Sequence, residues 1–338
     1  QVLKMRCLRK QFRVLLAAFV TWSPAAAQSE PSVLQALAQK AGCSEQTGVS
    51  DAQAARCLFK AWYPNMHVKH GMDPNNKDVA ETYGELEPEG VEELLDRIAD
   101  LGAPLSADDV FADLGSGVGQ IALLVFLKTL VRQVVGIELV QDRYDLSLTG
   151  RENALQALTA LESDADYQGE VPAGDRDLTL LQGDIRDPAL YKYWAAATVV
   201  FTCSILFPDE LMSDLNAAFI DNLEPGVLIF SLNRIPGDNR GLAPLATYQT
   251  KTSWDRVKGA KVFLYIKNLK PLVLTDLNLA IAKSQSIEED CISWGASNGG
   301  FATEKVLLRF CTAFTQKWSE RANYGHPRVD YDWVVPEL

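Results

Sequence analysis

Asp113, Gly115, Gly117 and Gly119 stand at alternate positions in the stretch ADLGSGVGQIALLVF, Ala112–Phe126. Glycine lets a backbone take conformations closed to other residues and approach a ligand closely. Followed by an apolar run of helical length, such a loop turns backbone N–H groups and the positive end of a helix toward whatever it holds. Two further acids close apolar runs downstream, Glu138 in VVGIEL and Asp184 in LLQGDIRD. At the end of a second parallel strand, a carboxylate accepts hydrogen bonds from both hydroxyls of a ribose. At the end of a third, Asp184 reaches an adenine edge.

A dinucleotide loop reads G-x-G-x-x-G, with room for a pyrophosphate. Here the third glycine comes one residue early, and Asp113 lies two residues before the first. An adenosine ligand without a pyrophosphate fits this spacing, and S-adenosylmethionine is such a ligand. Its sulfonium already activates a methyl group. The protein therefore has to align an attacking atom, exclude water and favour the dispersing charge. No Ser/His/Asp or paired-carboxylate arrangement is needed. The chain has three histidines and widely spaced cysteines, which make no metal-site pattern.

The elements that position these residues alternate. Glu89–Gly102 carries a helical stripe at Val91, Leu94, Leu95 and Ile98, closed by glycine. DDVFADLG, QVVGIEL, LTLLQGD, ATVVFTCS and GVLIFSL read as five strands, with helices at GQIALLVFLKTLV, QDRYDLSLTGRENALQAL and PDELMSDLNAAFIDNL. That order predicts a parallel sheet covered on both faces. ATYQTKTSW and AKVFLYIKN follow without a helix between them and read as an antiparallel pair at the sheet edge. Residues 28–80 read as a short helical lead-in, 81–268 as the α/β domain, and 269–338 as a C-terminal extension packed on or near it. One helix is expected in that extension, with Val306, Phe310, Phe314 and Trp318 on one face.

The N-terminus is of another kind. Arg6, Arg9, Lys10 and Arg13 precede the apolar Val14–Trp22 and the small residues Ala25 and Ala27. This is the pattern of a secretory signal over residues 1–27, with cleavage expected before Gln28 and no stable membrane anchor. The formal charge of −12 over 338 residues becomes −17 without that segment, which carries five basic residues and no acidic one. So acidic a chain is not expected to hold nucleic acid through a general basic surface. In an oxidising compartment Cys43 and Cys57 are candidates for a disulfide. Cys291 and Cys311 are expected as buried small hydrophobes.

VFADLGSGVGQIALLV resembles the cofactor loop of the Dot-type (disruptor of telomeric silencing) protein-lysine methyltransferases, histone-lysine enzymes without a SET domain. TYGEL (Thr82–Leu86), VVGIEL, LLQGDIRD, VVFTCSILFPDELMSDLNAAF and TSWDRVKGAKVFLYIKN are similar to successive segments of that family, so the resemblance covers about residues 65–268. It implies a Rossmann-like, seven-stranded class I methyltransferase sheet of order 3-2-1-4-5-7-6. It also implies that Asp113, Gly115 and Gly117 line the methionine end of the cofactor, with Gln120 nearby, and that Ser116 and Gly119 belong to the same cofactor-binding loop. Glu138 then takes the ribose and Asp184 with Ile185 the adenine, while Tyr83 and Glu85 lie on the lid side. Where the family reads N-N-F-x-F at the methyl-acceptor mouth, this chain has Cys203, Ser204 and Ile205 and keeps Phe207. Trp254, in the matching S-W, is a candidate wall of the pocket. Three readings follow: a protein-lysine methyltransferase on a non-nucleosomal or organellar target, a methyltransferase for a small molecule or lipid head group, or a cofactor-binding interaction protein without turnover.

Overall fold

Val110–Leu114 is the axis of the sheet. The computed structural model describes residues 31–43, 49–63, 84–169, 171, 175–237, 241–255, 257–269, 277, 286–298 and 300–323. In it this strand, β1, is buried along its whole length. It pairs in parallel with β2 (Gln133–Glu138) on one side and β4 (Val199–Thr202) on the other. β3 (Asp177–Gln182) continues beyond β2 and β5 (Leu228–Ser231) beyond β4, both parallel. β7 (Ala260–Lys267) joins β5 antiparallel, and β6 (Leu242–Thr250) pairs antiparallel with β7 at the edge. The order is 3-2-1-4-5-7-6, as expected. Its direction of winding reverses beside β1, and in open α/β sheets ligands bind outside the carboxyl ends of the strands at that point.

Side chains alternate across the strands with a period of two. Phe111, Val134, Phe201 and Phe230 belong to the core on one face, which includes α3 (Pro88–Asp100) and α4 (Gln120–Lys128). Ala112, Leu114, Val135, Val200 and Ile229 belong to the other, with α6 (Pro188–Trp194) and α7 (Asp209–Asn222). Asp113 is in step with Phe111 and so lies on the α4 side. Every residue of α4 from Ile121 to Leu127 is buried, because the helix is roofed by α1 (Val33–Lys40), α2 (Asp51–Trp62) and α5 (Gln141–Glu162) as well as by α3. A helix apolar on all sides is one with neighbours on all sides.

The lead-in helices α1 and α2 start with capping boxes, Ser32 with Gln35 and Ser50 with Gln53. The Cys43–Cys57 disulfide, Cα–Cα 5.8 Å, joins them. Residues 1–27, read as a signal, lie outside the described residues. No helix among the described residues is long and apolar enough to cross a membrane.

Three features correct the sequence expectations. A short helix, α6, follows β3, capped by the Asp187 carboxylate on the Ala189 N–H. The described part of the C-terminal extension holds two helices where one was expected: α8 (Ile287–Asn298) precedes α9 (Glu304–Asn323). Only Cys291 and Gly295 of α8 are buried, too narrow a stripe to announce a helix by periodicity. Cys291 and Cys311 are bridged to each other, Cα–Cα 5.6 Å, and are not separate buried thiols. That pairing depends on α8 lying against α9, which a spacing of 20 residues does not announce. Cys203 is the free cysteine among the described residues. On α9, Val306, Phe310 and Phe314 are buried as expected, while the Trp318 side chain lies outside the described residues.

Candidate functional site

The loop after β1 turns on three glycines of positive φ: Gly115 (83°), Gly117 (56°) and Gly119 (81°). The Gly115 and Ser116 N–H groups both donate to the Ile137 carbonyl at 2.9 Å, which bends the chain back over the end of β2. The Gly119 N–H donates to the Ser116 carbonyl at 2.8 Å, and Gly119 is the residue before α4. A side chain at Gly115 would meet the Phe207 ring, whose Cζ lies 3.1 Å from the place of its Cβ. The loop and the segment after β4 are thereby brought together. Gln120 opens α4 and is half-buried.

Glu138, at the end of β2, is buried. One oxygen accepts from the Gly117 N–H at 2.7 Å and the other from the Val140 N–H at 2.9 Å. Arg143, on the first turn of α5, stands 3.7 Å from it; nothing in the residue pattern singled Arg143 out. A carboxylate held this way keeps lone pairs for two hydroxyl donors while its own orientation is fixed.

Asp113 is fully buried and neither of its oxygens makes a hydrogen bond of ordinary geometry. Its pKa is raised to about 8, by burial first and by the charge of Glu138 second; the Ala122 N–H at the start of α4 offsets part of this. Buried polar atoms are satisfied in the great majority of cases. A carboxylate at this place beside a glycine loop suits a cationic donor.

The segment before α3 closes the site. The Glu85 N–H donates to Ser253 Oγ at 3.1 Å, and the Ser253 N–H donates to the Glu85 carbonyl at 2.9 Å. Glu85 is buried. Trp254 packs its ring where a side chain at Gly84 would go, so the absence of one there is what admits the indole. Trp254 is 38 % exposed and Ile205 also 38 %. Tyr83 lies outside the described residues.

Cys203 and Ser204, expected at the acceptor mouth, are both hydrogen-bonded within the chain. The Cys203 thiol donates to the Gly84 carbonyl at 2.9 Å. Burial pushes its pKa up, as do the charges of Asp113, Glu85 and Glu138, so it stays a neutral thiol. Ser204 is fully buried, with its Oγ 2.7 Å from Ser231 Oγ and accepting from the Asn233 N–H at 3.1 Å. It joins the ends of β4 and β5 and faces no solvent. Its small polar side chain is suited to that seam, where two strand ends leave polar groups to satisfy. Asp184, half-buried, accepts from the Arg186 guanidinium through both oxygens, and this pairing holds it below the ordinary carboxylate range despite some burial. The Ile185 side chain is packed in the core with Val110 and Val135, which leaves its backbone as the part able to face a ligand.

Residues 75–258 match the family model described as histone methylation protein DOT1. A curated relative, the H3 lysine-79-specific histone-lysine N-methyltransferase of Caenorhabditis elegans, is 28% identical over 162 residues, 48% of this chain. The match spans about 15% of that relative's length. Among solved structures, an RNA methyltransferase from Salinibacter ruber in complex with S-adenosyl-L-homocysteine is 22% identical, with 52% of this chain and 92% of that one covered and a TM-score of 0.33. An O-methyltransferase from Bacillus cereus is 11% identical over 69% of this chain and 97% of that one, with a TM-score of 0.41.

Proposed function

The chain belongs to the DOT1 family of histone methylation proteins, and on that premise we propose that it transfers a methyl group from S-adenosylmethionine to a lysine amine of a protein. The observation that carries this reading is Asp113: fully buried, without an oppositely charged partner among the described residues, and set beside a three-glycine loop whose middle N–H already holds Glu138. Asp113 would hold the ligand's ammonium and Glu138 its ribose hydroxyls, while the backbone of the loop lies against the methionine chain. When bound, the cofactor supplies an electrophilic methyl group on a sulfonium.

The chain's own residues supply the setting. A lysine amine has to lose its proton (pKa ~10.4 in water), and desolvation favours the neutral form. Phe207 over Gly115 and Trp254 over Gly84 offer apolar walls for that purpose. Cys203 is committed to the Gly84 carbonyl and Ser204 to the β4–β5 seam, so neither is assigned to the acceptor. A formal charge of −12 suits a cationic protein segment as the target. The signal-like N-terminus and the two disulfides support a target in the secretory pathway.

Incubation with methyl-labelled S-adenosylmethionine, a lysine-rich basic protein and a mixed lipid extract tests the reading. Label is expected in the protein fraction, and prior acetylation of the acceptor's lysines, which turns each amine into a non-nucleophilic amide, should abolish it. Label confined to the solvent extract would replace protein lysine by a lipid or small-molecule acceptor, and no label with cofactor bound would leave a non-enzymatic role.

The state of Asp113 gives a second expectation. With a pKa of about 8 in the free protein, the carboxyl is mostly protonated at neutral pH. Its ionised form is the one that pairs with an ammonium, so binding pulls the pKa down and expels the proton. Affinity then rises with pH up to about 8, and close to one proton is released per ligand near pH 7. Titration calorimetry in buffers of different ionisation enthalpy measures that number; it should fall toward zero in Asp113→Asn.

A further inference from the structure

Tyr63 lies outside the residues that match the family, on the lead-in. It follows α2 directly, is 4% exposed, and donates from its hydroxyl to the carbonyl of Val118 at 2.9 Å. Val118 sits inside the glycine loop. The peptide plane that carries its carbonyl also carries the Gly119 N–H, and that N–H donates to the Ser116 carbonyl. A peptide is a rigid plane. The Val118–Gly119 plane is thus fixed at both polar ends, by the Tyr63 hydroxyl at the oxygen and by Ser116 at the nitrogen.

The ring reaches this point because α5 has no side chain at Gly150, where a Cβ would collide with the phenol. The phenol stays protonated, since burial and the charge of Glu85 both raise its pKa. The helix behind it is tied down along its length. Asp51 accepts from Lys128 of α4 at 2.6 Å, and Arg56 bonds Glu87 at 3.2 Å and also pairs with Glu89. Cys57 is bridged to Cys43, and the Trp62 carbonyl accepts from Asn153 of α5 at 2.9 Å. These ties anchor α2 to the elements around the site, and its last residue, Trp62, is followed at once by the tyrosine that touches the loop.

We propose that Tyr63 is a positioning residue for the cofactor loop: the disulfide-tied lead-in reaches over α5 and holds the Val118–Gly119 peptide in the orientation that receives the ligand. This rests on the cofactor reading above. The test compares the full chain with Tyr63→Phe, which keeps the ring and removes the hydroxyl. The probe is S-adenosylhomocysteine, followed by calorimetry, with amide exchange measured on the same samples without ligand. Loss of one hydrogen bond predicts a Kd raised about 3- to 10-fold. Exchange at the Gly119 amide should quicken while the amides of α2 stay protected. If turnover is followed, the KM for the cofactor should rise by the same factor with kcat at saturation within about twofold. Gly150→Ala, which drives the ring out from the other side, should raise Kd at least as far. An unchanged Kd and unchanged Gly119 exchange in a folded Tyr63→Phe chain would overturn the proposal, even if its Tm fell. If the wild-type chain binds no S-adenosylhomocysteine, it is the cofactor reading that falls, and the exchange result still decides whether Tyr63 holds the loop.

Discussion

Glu138→Ala is expected to lose at least about a hundredfold in affinity for S-adenosylmethionine. The carboxylate does two jobs at once. It accepts from the Gly117 N–H at 2.7 Å and the Val140 N–H at 2.9 Å, and it faces the position a ribose would take. Alanine leaves the buried Gly117 N–H without an acceptor, at about 1–3 kcal/mol, frees the part-buried Val140 N–H at a smaller cost, and removes the partner of the ribose hydroxyls. Part of the first cost is common to the free and bound protein, so a net loss of about 3 kcal/mol is a reasonable expectation, or about a hundredfold. Glu138→Gln keeps one acceptor oxygen and should lose less. Removing this charge also takes away one of the two influences that raise Asp113, so proton release on binding should shrink in either variant. Calorimetry on well-folded wild type and variants reads all three quantities. Equal affinity in wild type and Glu138→Ala would mean that the ligand, whatever it is, does not sit at the end of β2.

How far these residues were legible in the sequence depends on the range over which each is determined. The glycine loop and Glu138 are local: a loop between an apolar strand and an apolar helix can be read within a dozen residues. The alternation of elements announces a parallel sheet, and the family resemblance implies its strand order. Asp113 was legible as a type and a position, but its isolation was not, because it depends on β2 and α4 closing around it. Ser204 and Cys203 are placed at the acceptor mouth only by the resemblance to the family's N-N-F-x-F segment. Their partners, Ser231 and the Gly84 carbonyl, lie 27 and 119 residues away, and no local pattern connects them. The same holds for Tyr63, whose partner is 55 residues on, and for the Cys291–Cys311 bridge. Contacts made inside one supersecondary unit could be read; contacts between units had to be seen.

One such contact carries the largest expected effect on stability. Arg309 of α9 and Asp109, the residue before β1, are both fully buried. The guanidinium grips the carboxylate through Nη1 at 2.7 Å and Nη2 at 3.1 Å, and its Nε donates to the Ala103 carbonyl at 3.0 Å. The Thr198 hydroxyl and the Ser106 N–H complete the shell at 2.7 and 2.9 Å. Burial by itself would raise the pKa of Asp109; the bonds and charge of Arg309, with Thr198 and Ser106, outweigh it and hold the group below its ordinary value. Breaking a buried pair by removing one partner costs about 3–5 kcal/mol, because an uncompensated charge is left behind. Arg309→Met should lower unfolding stability by that amount at neutral pH.

The pH dependence separates this from a simple packing loss. In the wild type, Asp109 has a depressed pKa in the folded state, so its contribution is present above the unfolded value of about 4 and fades as pH falls through the folded one. In Arg309→Met burial acts unopposed by the guanidinium, and the folded pKa moves above the unfolded one. The variant then loses stability as pH rises from about 4, so the gap from wild type should widen toward neutrality and narrow in acid. Denaturant unfolding at several pH values reads this, and Arg309→Met combined with Asp109→Asn should recover part of the loss. A gap independent of pH, with no recovery in the double variant, would mean that α9 is held by its apolar face alone. Asp109 and Asp113 belong to one short run and both are fully buried. The one before β1 is gripped by an arginine and held ionised, and it fastens the C-terminal extension to the sheet. The one within β1, at the switch point, has no such partner among the described residues and is pushed toward its neutral form, which suits the ligand-binding role proposed for it.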